Sequence, residues 1–133
     1  MKKYDLEKRL IRFSVNVIRL VSKFENSKAG KHLSGQIIRS ATSAALNYGE
    51  AQSSESPKDF IHKMKITLKE LRETIVALKI IQEANLSNDT RLLPTVLKEN
   101  DELIAIFNKS ISTAKRNSSP LIEEDCATYS AVG

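Results

Sequence analysis

Aromatic residues are scarce in this chain, with three Tyr, four Phe and no Trp. Glycine and proline are nearly as rare, at four and three residues. A β-rich fold draws heavily on all three groups for strands and tight turns, so this shortage argues against one. The hydrophobic 41% is mostly Leu, Ile, Val and Ala, and it points to an all-α domain. The single cysteine, Cys126, excludes an internal disulfide and fits a reducing cytosol. No apolar run is long enough to cross a bilayer. The amino end, MKKYDLEKRLIRF, is basic, but Asp5, Glu7 and Arg12 interrupt it and make it a poor signal peptide. The expectation is a cytoplasmic protein without membrane contact. Its 133 residues suffice for one domain with a real core.

Catalytic signatures are also missing. The chain has no Gly-rich phosphate loop, no HExxH, no CxxC and no Ser-Cys-His constellation. Di-iron bundles need Glu three residues before His. Those positions before His32 and His62 hold Ala29 and Asp59. Asp59-x-x-His62 is a single pair on a solvated face, and nothing near Cys126 would depress its pKa. A non-catalytic protein without cofactor or metal is the expectation.

What is present is helical periodicity. Ile61, Met64, Leu68, Leu71, Ile75 and Leu78 alternate by three and four, drawing one apolar seam along a helix. Ile37, Ala41, Ala44, Tyr48 and Ala51 form a seam of smaller groups that lets a second helix approach closely. Leu6, Leu10, Phe13, Val17, Leu20 and Phe24 make a third seam, which Ile11, Ile18 and Val21 widen beyond the needs of one partner helix. Leu93, Leu97, Ile104, Phe107 and Ile111 make a fourth, with Asn100 in a core slot. The expected helices cover about 5–25, 31–52, 57–84 and 90–116, in an up-down-up-down antiparallel bundle over 1–116.

The clearest boundary is the third helix, with Ser56 as cap, Pro57 in the first position and Asp59 in the first turn. Asn26 to Gly30 reads as a turn, with Gly30 supplying backbone freedom. Gly35 and Gly49 inside the second helix read as points of close helix contact. Ser87 or Thr90 is the expected cap of the fourth helix, with Pro94 either just inside its start or at a kink. Residues 117–133 read as a flexible acidic tail.

Net charge is +5, unevenly spread. Glu123, Glu124 and Asp125 lie in the tail without a base, leaving 21 bases against 13 acids before it. On the first helix Arg9, Arg12, Arg19 and Lys23 share one acid-free face. On the third, Lys58, His62, Lys65, Lys69, Arg72 and Lys79 form a stripe broken by Val76. Rows of bases can follow a phosphate backbone, each contact releasing counterions. No aromatic interleaves them, so recognition through backbone and shape is expected rather than base stacking. A polar line of Arg39, Ser43, Asn47 and Glu50 beside the alanine seam reads as a hydrogen-bonded network holding helix register. Asn100 reads the same way.

Four segments carry a family likeness. They are Arg39-Ser40-Ala41-Thr42-Ser43, Asn47-Tyr48-Gly49-Glu50, Ser56-x-x-Asp59-Phe60 and Leu68-x-Glu70-Leu71-x-Glu73-Thr74. Together they resemble the bacterial four helix bundle family, whose founding members are encoded in intervening sequences of 23S rRNA genes. The resemblance implies a small bundle assembling as a ring, commonly a homopentamer, with no established enzymatic activity. A related branch serves as the accessory protein of diversity-generating retroelements, supporting a reverse transcriptase and its RNA. The expected partner is therefore RNA, structured or ribosomal, with a protein partner such as a reverse transcriptase as the alternative.

Overall fold

The structure, a computed structural model, describes residues 3–118. Four α-helices follow one another: α1 (Lys3–Val21), α2 (Lys28–Gln52), α3 (Pro57–Glu83) and α4 (Leu92–Arg116). No β-strand occurs among the described residues. Each helix packs on the next and α4 closes back on α1, giving the all-α four-helix bundle that the four seams require. The acidic segment 119–133 lies outside the described residues.

The seams meet in one core. Leu10, Phe13, Val17 and Leu20 of α1 are shut from solvent, as are Ile37, Ala41 and Ala44 of α2. Met64, Leu71 and Leu78 complete it from α3, and Val96, Leu103 and Phe107 from α4. Tyr48 meets Phe107 edge-on across the bundle, with ring centroids 5.5 Å apart. On α4 the buried line runs Leu93, Val96, Asn100, Leu103, Phe107, Ile111, while Leu97 and Ile104 flank it half-buried.

Helix ends follow local chemistry. Ser56 Oγ accepts from the Asp59 N–H at 3.1 Å, with Pro57 inside the first turn. α2 starts at Lys28, three residues before the expected point, because Ser27 Oγ accepts from the Gly30 N–H at 3.0 Å. Gly30 is therefore helical, and its φ is negative. It is needed for space, since a Cβ there would sit 2.7 Å from the Glu25 carbonyl oxygen. Gly35 and Gly49 differ from expectation too. A Cβ at either would meet nothing within 4 Å, so no close helix contact within the chain explains them.

α4 begins at Leu92, and its cap is neither Ser87 nor Thr90. Asp89 Oδ1 accepts from the N–H groups of Arg91 and Leu92 at 3.0 and 2.7 Å. Pro94 fits because its missing N–H falls in the first turn, where no helical acceptor precedes it. The two loops at this end are pinned together, with Glu25 N–H donating to the Leu86 carbonyl and Asn88 N–H to that of Lys23.

Candidate nucleic-acid interface

Every neighbouring pair of helices is tied by at least one side-chain polar contact. Ser14 Oγ donates to the Ala41 carbonyl at 3.1 Å, joining α1 to α2. The Ser40 and Thr74 hydroxyls meet at 2.6 Å between α2 and α3, both fully buried. Asn100 Nδ2 donates to the Leu71 carbonyl at 3.0 Å, joining α4 to α3. Arg9 grips Glu99 through two bonds, Nε to Oε2 at 2.9 Å and Nη2 to Oε1 at 2.5 Å, joining α1 to α4. These ties hold the helix faces at set rotations and so decide which bases reach solvent.

The expected polar line on α2 separates into distinct contacts. Arg39 spans Glu70 at 2.9 Å and Glu73 at 2.7 Å, and those bonds raise its guanidinium pKa, Glu73 most. Glu50 accepts from Lys63 at 2.9 Å, which raises the lysine in the same way. Both pairs bridge α2 and α3 near the surface. Asn47 donates to the carbonyl and hydroxyl of Ser43 at 2.9 and 3.1 Å, and both bonds stay within α2. The buried Ser40–Thr74 pair adds to these contacts between α2 and α3.

The basic row on α1 is also divided. Arg9 is half-buried and committed to Glu99, which raises its pKa. Arg12, Arg19 and Lys23 are exposed, and no acid occurs in the chain between Lys8 and Lys23. At 1.5 Å rise per residue, Arg12 to Arg19 spans about 10 Å. α1 ends at Val21, short of the expected residue 25, and Lys23 lies in the turn just beyond it. Asn88 is bonded to the Lys23 carbonyl, so the exposed Arg91, three residues on, belongs to the same end of the bundle. Arg91 escaped sequence reasoning because it falls at the edge of the expected fourth helix, far in sequence from the basic rows. Only the pinned loops bring its end of α4 beside Lys23.

On α3, Lys58, His62, Lys69 and Lys79 are exposed, and Lys65 is half-buried. Arg72 donates to Asn108 Oδ1 on α4 at 3.2 Å. Val76 and Ile80, 56% and 50% exposed, place an apolar patch among these bases. Beside the α1 bases lies a second apolar strip, Ile11, Val15 and Ile18, at 51%, 37% and 47% exposure. By helical angle the strip lies on the α2 side of α1 and the basic row on the α4 side. Among the described residues no group of three or more His, Cys, Asp or Glu could hold a metal ion. None of their helices is long and apolar enough to cross a membrane.

Fold and surface together define a helical bundle with a basic, acid-free ridge on α1. The chain belongs to the 23S rRNA-intervening sequence protein family, whose model matches residues 2–109. Among solved structures it is similar to a protein of unknown function from the S23 ribosomal protein family of Bacteroides thetaiotaomicron VPI-5482. That likeness has 28% identity and a TM-score of 0.74, covering 84% of this chain and 99% of the other. Among curated proteins no relative matches.

Proposed function

We propose that this protein is a non-catalytic, oligomeric RNA-binding protein that grips the phosphate backbone with the outer face of α1. The supporting observation is the row of Arg12, Arg19 and Lys23, exposed together on a stretch without acids. Arg12 and Arg19 on α1, with Lys23 in the turn just beyond it, concentrate positive potential and attract a polyanion without reading its bases. Structured or ribosomal RNA is the kind of partner we favour, and the family's name links its members to 23S rRNA without naming what they bind. Arg9 acts differently, because Glu99 already neutralises it. The α3 bases Lys58, Lys65, Lys69 and Arg72 form a weaker second row. Asp59 shares its first turn, and Val76 and Ile80 intrude among the bases toward its far end.

Oligomerisation rests on Ile11, Val15 and Ile18, a strip whose burial against another subunit would remove apolar surface from water. A ring, such as the homopentamer the family resemblance implies, would repeat the basic row and multiply weak contacts. The same strip also favours a second reading, an accessory subunit that docks a protein such as a reverse transcriptase. Amide mapping separates the two. Titration with a short RNA duplex at about 0.15 M salt should shift signals from Arg12 to Lys23 and at Arg91. Shifts confined to Ile11, Val15 and Ile18 with a protein partner, and none with RNA, would favour the accessory reading.

A further inference from the structure

Where α2 passes into α3, an open cleft of about 360 Å³ lies against the end of α4. Pro57, Phe60, Ile61 and Ala114 give it an apolar lining, and Asn117 and Ser118 form its other wall. Ile61 is part of the buried surface, whereas Phe60 is only half-covered. The chain itself leads out of this cleft, because Ser118 is both a lining residue and the last one described. The sequence that follows is Ser119-Pro120-Leu121-Ile122-Glu123-Glu124-Asp125, two aliphatic residues and then three acids. The family match stops at residue 109, ahead of this segment.

We propose that residues 119–133 dock back onto the bundle, with Leu121 and Ile122 seated in this cleft and the acidic run lying over the start of α3. Reach favours it, since three extended residues carry Leu121 about 10 Å from Ser118. The lining offers apolar surface, and two aliphatic side chains gain by leaving water. Charge then orients the rest. Lys58 follows the lining residue Pro57, and Lys115 and Arg116 follow Ala114. The positive end of the α3 dipole lies at the same edge. Glu55 on the rim and Asp59 in the first turn of α3 oppose the acids, steering them toward Lys58 and the α4 bases. Docked in this way, the segment is an internal competitor for phosphate on the α3 row. That consequence rests on the RNA-binding reading, whereas the docking does not.

Cys126, the sole cysteine, adjoins the acidic run and takes a nitroxide label in the full chain. Docking predicts selective broadening of amide signals from Ser54 to Ile61, well beyond that at Leu6 to Leu10 at the same end of the bundle. Leu121→Ser with Ile122→Ser should restore most of that intensity. Equal broadening at both places, or broadening that survives the double change, overturns the proposal. So does broadening that arises only between labelled chains and isotope-enriched Cys126→Ser chains, since the contact would then be intermolecular. With docking observed, Glu123→Gln, Glu124→Gln and Asp125→Asn together should raise affinity for an RNA duplex several-fold. Unchanged affinity overturns the competition. If neither form binds RNA while the cleft signals still broaden, the RNA-binding reading fails and the docking stands.

Discussion

Asn100 is the residue whose replacement most sharply tests the packing described here. It is fully buried, its Nδ2 donates to the Leu71 carbonyl at 3.0 Å, and its Oδ1 meets no protein donor. An unsatisfied buried acceptor costs about 1–3 kcal/mol, whereas one neutral hydrogen bond returns about 0.5–1.5 kcal/mol. Leucine has the same branching and the same number of side-chain heavy atoms, so Asn100→Leu opens no cavity, but its methyl groups are bulkier than the amide and one would press on the Leu71 carbonyl. Leu71 lies within α3, so its carbonyl keeps its helical acceptor role after the change. Losing the orphaned acceptor favours leucine and the crowding opposes it, so Asn100→Leu should stay within about 1 kcal/mol of wild type, while Asn100→Ala, which removes atoms from a closed core, loses about 2 kcal/mol or more. Urea unfolding at one fixed protein concentration reads both, provided the m-value is unchanged. A Leu variant that loses as much stability as Asn100→Ala, at the same m-value, would contradict the orphaned acceptor and refute the reasoning. The change should also carry a cost in uniqueness, because Asn100 sets α4 against α3 and leucine does not.

Further outcomes follow from other sites. Gly30→Ala should lower stability by about 1–3 kcal/mol despite alanine's better helix propensity, since the new methyl meets the Glu25 carbonyl; equal denaturant midpoints would contradict this. Burial raises the Tyr48 phenol above its ordinary value, with the Gln52 bond opposing it. The folded protein thus holds this proton more tightly than the unfolded chain. Its contribution is whole below about pH 10 and is lost as pH climbs through the raised value. Alkaline melts should therefore lose less stability in Tyr48→Phe than in wild type. Ile11→Glu with Ile18→Glu should lower the assembled mass seen by light scattering while leaving helical content intact, and an unchanged mass would remove the strip from any subunit contact.

Most of the fold was readable from spacing because burial in a bundle repeats every three to four residues. The seams through Leu10, Ala41, Leu71 and Phe107 needed only that period. Ser56-Pro57 was readable because cap and first-turn residues are adjacent. The start of α2 was harder, since Asn26 and Gly30 mimic a turn while Ser27 does the capping. The Asp89 turn ahead of α4 was passed over because Ser87 and Thr90 beside it look like good caps by composition, whereas the cap position is Arg91 and carries no side-chain cap bond. The candidate surface was less readable. Arg9 looks like its row-mates in sequence, and only the meeting of α1 with α4 shows Glu99 closing on it. The same holds for Ser40 and Thr74, small polar residues whose pairing depends on two helices reaching one depth. Spacing marked Ile11, Ile18 and Val21 as extra apolar width, and the structure half-buries Val21, adds Val15 and leaves the strip open.

The central claim is that Arg12 and Arg19 contact phosphate while Arg9 does not, and the salt dependence of RNA affinity tests it most directly. Each phosphate neutralised adds roughly 0.7–0.9 to the log–log slope of affinity against salt. Arg12→Gln with Arg19→Gln should make that slope shallower by about one to two per chain, with a similar loss on unrelated RNA sequences. Arg9→Gln should leave the slope unchanged and act only on stability, through the stranded Glu99. A folded Arg12→Gln, Arg19→Gln variant with the wild-type slope, or a slope that depends on Arg9 instead, would contradict the account.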